Sequence, residues 1–259
     1  MSYPSVSKHG FAANIGIYRV PPHLSWDEFK AAFEASLDAM VRTPVVQRSR
    51  VKIEMMTHTD SLDEHVKLAG FPPQQRCMMI ATQTETPEDF AAVKLMRDPE
   101  MAAEFKRAGD LGLLDGSSAF SVDVVPKAKV DSSEATTEKS VHAIGIHKVP
   151  PHLSEEQYTQ KFHAFVDKLI AVPAARQNLI KYELWLSNPV LKEDFLAVGV
   201  AGSEPVIVVR AQSKTLDDMI ECMRDEEFTH LMLDAGGDFG FTTAASLFNV
   251  DIVVKVDTL

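Results

Sequence analysis

The chain has 259 residues, 45% of them hydrophobic and 24% charged, a balance that excludes disorder as the default and supports a globular core. A formal net charge of −11 would repel a phosphate backbone, whose binding draws on clustered Lys and Arg, so nucleic acid is not an expected partner. No stretch reaches the ~18 apolar residues of a membrane span, so no membrane partner is expected and a cytoplasmic protein fits best.

In chain order, Ala13, Ile15 and Ile17 alternate with Asn14, Gly16 and Tyr18, which predicts a strand with one more apolar face. Ser25 and Glu28 have capping-box spacing and predict the start of a helix. Trp26, Phe29, Phe33, Leu37 and Met40 then make one apolar stripe, which Pro44 helps to end. A second strand is predicted at about Val51 to Met56 and a third at Met78 to Gln83, with a short inserted helix in Leu62 to Gly70. Thr86-Pro87-Glu88-Asp89 predicts a further helix with Phe90, Val93 and Met96 inward, and Phe120 to Val125 a last strand.

The same order then begins again. Val20-Pro-Pro-His-Leu-Ser25 recurs unchanged as Val149-Pro-Pro-His-Leu-Ser154, and the 129-residue offset continues through Phe33/Phe162, Pro44/Pro173, Glu54/Glu183 and Gln83/Gln212. Small gaps shift the later register, so that Met96-Arg97-Asp98 matches Met223-Arg224-Asp225. The expected architecture is therefore α+β, with two tandem ferredoxin-like (β-α-β-β-α-β) domains over residues 9–126 and 140–259, joined by a polar linker at 127–139. A half-covered sheet in each half is best buried against its twin.

This double pattern resembles the dimeric α/β-barrel superfamily, in which two such units pair their antiparallel sheets into a barrel. Here the barrel would form within one chain. Ile15-Gly-Ile-Tyr-Arg-Val20, Ser25-Trp-Asp-Glu-Phe29 and Asp98-Pro-Glu-Met101 are similar to the EthD-like branch. That branch often carries a histidine near the end of the first helix, where this chain has Ser36-Leu37 and Phe165-Val166. The resemblance implies a pocket between sheet and helices in each half, suited to an apolar or aromatic small molecule.

Scaffold positions should match between the halves, so differences mark candidates for function. Tyr18 stands opposite His147, Asn14 opposite Ala143, and Met56 opposite Trp185. His147 is the expected general acid or base, because an imidazole titrates near neutral pH, and Tyr18 the expected donor to a developing oxyanion. Trp185, Phe162 and Met223 are expected to wall the substrate, with His23 and His152 at the pocket mouths. Glu54 and Glu183 are expected inside the barrel, paired with Lys52 or Lys181. Cys77 and Cys222 read as reduced core thiols, and neither they nor the histidines have metal-ligand spacing, so neither metal nor cofactor is expected.

The resulting expectation is a cofactor-independent decarboxylase, cyclase or isomerase acting on an aromatic or polyketide-like substrate. The alternatives are a non-catalytic or stress-associated protein that binds a hydrophobic ligand, and a haem protein. The last rests on Gly112-Leu-Leu-Asp-Gly116, which is similar to a pattern of dye-decolorizing peroxidases. A homodimer of such pseudo-dimers is compatible with the sequence.

Overall fold

A computed structural model describes residues 12–72, 74–85, 98–129, 140–202, 206–241 and 245–259. The helix expected from Thr86 through Met96 lies outside the described residues. Strand β1 (Ala12–Arg19) leads into α1 (Trp26–Val41), and Ser25 and Glu28 close the capping box as their spacing predicts. Phe29, Phe33 and Leu37 form its buried stripe. Pro44 does not itself stop this helix, since α1 has already ended and the proline opens a second short helix, α2 (Pro44–Arg48). Its fixed φ suits a first helical turn, where no backbone N–H is required. Strand β2 (Val51–Thr59), α3 (Asp63–Leu68), β3 (Cys77–Thr84), α4 (Pro99–Asp110) and β4 (Ser118–Lys129) follow. Asp98 caps α4 through its side chain. Strand β4 runs through Lys129, beyond the expected start of the linker at 127.

The second run comprises β5 (Val141–Lys148), α5 (Glu155–Leu169), α6 (Pro173–Asn178), β6 (Leu179–Asn188), α7 (Lys192–Ala197), β7 (Ala201–Gly202) and β8 (Val206–Ser213). It closes with α8 (Leu216–Arg224), α9 (Glu226–Phe239) and β9 (Ala245–Asp257). Asp225 lies between α8 and α9 and caps the latter, as Asp98 caps α4.

Eight of the strands close into an antiparallel barrel in the order β1-β3-β2-β9-β5-β8-β6-β4, with β4 returning to β1; β7 adds two parallel pairs to β4. Each run of four strands has the same internal order, β4-β1-β3-β2 and β9-β5-β8-β6. The last strand of each run therefore pairs with the second strand of the other, β4 with β6 and β9 with β2. Both seams carry a bulge, in which Lys127 and Lys255 are the extra residues. A bulge turns one side chain out of the strand's alternation. Here the two lysines reach helices of the opposite run, Lys127 bonding Asp167 of α5 at 2.6 Å and Lys255 bonding Asp38 of α1 at 2.7 Å.

Strand alternation divides the apolar residues into three cores. Ala13, Ile15, Met79, Phe120, Ile144 and Val208 fill the barrel, while the opposite faces of the same strands pack under α1 and α4 or under α5 and α8. Polar groups enter the barrel beside Glu54, which bonds Arg210 at 2.7 Å and Lys52 at 3.2 Å; Lys181 pairs with Glu183 at 2.9 Å.

Candidate functional sites

The outward face of β1 presents Asn14, Gly16 and Tyr18 to α1 and α4, and that of β5 presents Ala143, Gly145 and His147 to α5 and α8. Between sheet and helices each leaves a cavity, of about 90 Å³ under α1 and about 80 Å³ under α5. One buried water needs only ~10–15 Å³ of such space, so either cavity has room for a molecule of several non-hydrogen atoms. Phe33, Leu37, Met101 and Phe105 roof the first; Phe162, Phe165, Met219 and Met223 roof the second. No carboxylate or cationic side chain lines either one among the described residues.

The connecting helices exchange places across the barrel. Phe195 of α7, with Val200 after it, closes the first cavity, whereas Ala69 and Phe71, which follow α3, close the second. Neither pocket is complete without the other run of the chain. Arg224 of α8 and His65 of α3 meet at 3.1 Å beside this exchange.

Both cavities share a local device. The Tyr18 ring lies over Gly16, where an added Cβ would come within 2.6 Å of the hydroxyl, and the His147 ring lies over Gly145, where a Cβ would meet Nε2 at 2.7 Å. Glycine two positions earlier on the strand is what allows a polar ring to lie flat against the pocket floor. Burial pushes the Tyr18 hydroxyl up to about 12, so it remains a donor. Burial alone pulls His147 down to about 3, which keeps the imidazole neutral at physiological pH. His147 is 5% exposed, and its Nδ1 has no hydrogen-bond partner. Its ring packs on Phe162 at 4.9 Å and Phe241 at 5.3 Å. The Cys222 thiol, also in this wall, is raised to about 12 by burial and then by Asp225 and Glu221, so it is a protonated, unreactive group.

The residues singled out in the sequence are thus distributed over several places. His147, Phe162 and Met223 meet in the second pocket, but Tyr18 occupies the corresponding point of the first and cannot serve the same bound molecule. Trp185 is not a pocket wall. On β6 it alternates with Leu184, so its ring points into the barrel, where it is 1% exposed and donates from Nε1 to Glu183 at 3.2 Å. His23 and His152 are exposed in the loops before α1 and α5 and line neither cavity. His23 instead lies against Gly112, which has φ +71°; Gly116 has φ +66°. Turn geometry accounts for this glycine spacing without haem. Sequence reasoning passed over Ser36 and Thr82, polar residues of the first pocket. Ser36 was detectable as a hydroxyl three residues after Phe33 on the apolar stripe; Thr82 had no comparable signal.

No protein-family model matches this chain, and no curated protein matches it in sequence. Among solved structures, it is similar to a protein named as a candidate monooxygenase from Fusobacterium nucleatum, with a TM-score of 0.55 at 8% identity over 93% of this chain and 92% of that one. A second protein so named, from Lactobacillus acidophilus, gives 0.49 at 7% identity over 95% and 94%. A mutant chlorite dismutase from Candidatus Nitrospira defluvii gives 0.44 at 12% over 93% and 92%. The first likeness is one of fold: the chain has the architecture of the dimeric α/β-barrel proteins.

Proposed function

We propose that this protein binds apolar or aromatic small molecules in two separate pockets, and that the second recognises a polar group on its ligand through His147. The observation that carries this reading is the unpartnered neutral imidazole in an apolar chamber. A buried nitrogen left without a partner costs ~1–3 kcal/mol, which a ligand hydroxyl or N–H would recover on binding. The first pocket offers the Tyr18 hydroxyl as a donor, which suits a carbonyl instead.

Native mass spectrometry of the purified protein should reveal a small molecule retained without denaturation. His147→Ala should lose it at least tenfold if it occupies the second pocket. Retention of the same molecule at equal occupancy in both His147→Ala and Tyr18→Phe would rule this reading out.

A second reading, acid-base catalysis on an aromatic or polyketide-like substrate, is favoured by the same free lone pair on His147. No carboxylate among the described residues of the pocket would stabilise an imidazolium, so the substrate's own developing anion must act as its counter-charge. Turnover of an identified substrate that survives His147→Ala unchanged would exclude it.

The proposal also takes residues 9–126 and 140–259 as duplicated ferredoxin-like halves of the EthD-like type, supported by their repeated strand order and matched helix caps. No helix among the described residues is long and apolar enough to cross a membrane, and a cytoplasmic location belongs to this proposal.

A further inference from the structure

Outside both pockets, at the point where β2 leaves the barrel, His58, Asp60 and Asp63 bring one ligand atom each to within 4.8 Å of one another. We propose that these three residues form a binding site for a divalent transition-metal ion of the zinc type. Nothing in the proposed small-molecule reading requires it.

The decisive member is His58. It is 4% exposed, and neither ring nitrogen has a hydrogen-bond partner. Its ring is stacked on Phe248 at 4.7 Å with an interplanar angle of 13°, which fixes the plane in which both nitrogens lie. Nε2 stands 3.9 Å from Asp63 Oδ1, too far for a hydrogen bond. Two ligands at ~2.1 Å from one tetrahedral zinc lie ~3.4 Å apart, so a small movement of the half-exposed Asp63 would place an ion between them. A neutral imidazole with two carboxylates is a donor set that zinc accepts, and three protein ligands leave a coordination position for water.

Arg76 contacts the Asp60 carboxylate through Nε at 3.2 Å and also through Nη2. A carboxylate has about four lone-pair positions, so this pair leaves acceptor capacity on Asp60 and acts as the outer partner that orients it. The scaffold does not demand the trio: the residues 129 positions later are Ser187, Pro189 and Lys192, none of which repeats it.

The test is calorimetric titration of the full chain, freed of metal by a chelator, with Zn²⁺ alone, paired with thermal melting. Wild type should bind one equivalent and melt at higher temperature with Zn²⁺. His58→Ala and Asp63→Ala should each weaken that binding at least tenfold and abolish the shift in melting. Because Asp63 is half exposed, its variant decides the matter even where His58→Ala fails to fold. Absence of saturable one-to-one binding in wild type, or undiminished binding by Asp63→Ala, would overturn the proposal.

Discussion

At the scale of single residues, the pairing of a glycine with a polar ring two positions later defines each pocket floor. His147→Phe should be tolerated structurally, because the corresponding point of the other run already holds the longer Tyr18 ring over Gly16. The native imidazole is held neutral down to about pH 3, whereas an unfolded one takes a proton near 6.5. Its contribution to stability is therefore fully present above pH 6.5 and is lost as pH falls toward 3. Denaturant melts at pH 7 and pH 5 should show His147→Phe losing less stability than wild type over that interval, by about 2 kcal/mol. Equal losses would show that the imidazole is solvated. Glu54 has the same sign for a different reason. Burial pushes its carboxyl up, but Arg210 and then Lys52 outweigh that and hold it at about 2. Its contribution is present above pH 4.5 and is lost as pH falls to about 2. Glu54→Gln should cost ~3 kcal/mol at pH 7, measured by urea unfolding, and the deficit should shrink toward zero near pH 2.

At the scale of elements, the two bulges explain how a strand can serve two halves. Strand β9 begins over the second helical layer with Ala245 and Leu247 and ends over the first with Val256. Lys255, the extra residue before Val256, spans to Asp38 across this change. The Asp38 side chain is 41% exposed, so solvent competes for the pair. Lys255→Ala should then cost no more than ~1 kcal/mol by urea unfolding, and so should Lys127→Ala. A loss above ~2 kcal/mol in either would mean that the lysine itself, and not the bulge, holds the seam. Helix starts were legible because a cap is a local contact: Ser25/Glu28 and its repeat Ser154/Gln157 both close capping boxes. Helix α9 was not expected, because Gly236 and Gly237 weaken its pattern, and its fixing contacts are distant ones such as Phe239 against Tyr158 at 5.7 Å.

At the scale of the molecule, closure depends on the two seams between the runs, β2 with β9 and β4 with β6. A run expressed alone would expose long strand edges on β2 and β4, or on β6 and β9, and would lack the cap over its own pocket. Residues 1–129 and 140–259 produced together as separate chains should therefore associate and elute as one species, whereas either alone should aggregate. Soluble, monomeric fragments that do not associate would show that the seams are weak. The repeat made this mutual dependence readable in outline, since two half-covered sheets need each other. The exchange of caps was not readable, because the inserted segments 62–70 and 191–199 are alike and nothing local says which pocket either will cover.

By itself the sequence determined the order of the eight barrel strands and of the helices that caps and apolar stripes mark, though not α2, α4, α6 or α9, together with the repeated caps, the barrel-facing glutamates and the pairing of Tyr18 with His147 as the informative difference. All of these follow from spacing along the chain, which fixes helix ends and strand faces locally. Only the tertiary structure decided that Tyr18 and His147 occupy separate pockets, that Trp185 turns into the barrel, and that His58 comes to rest beside Asp60 and Asp63. Those outcomes depend on which strand closes against which, and on which side of the closed wall a residue then lies.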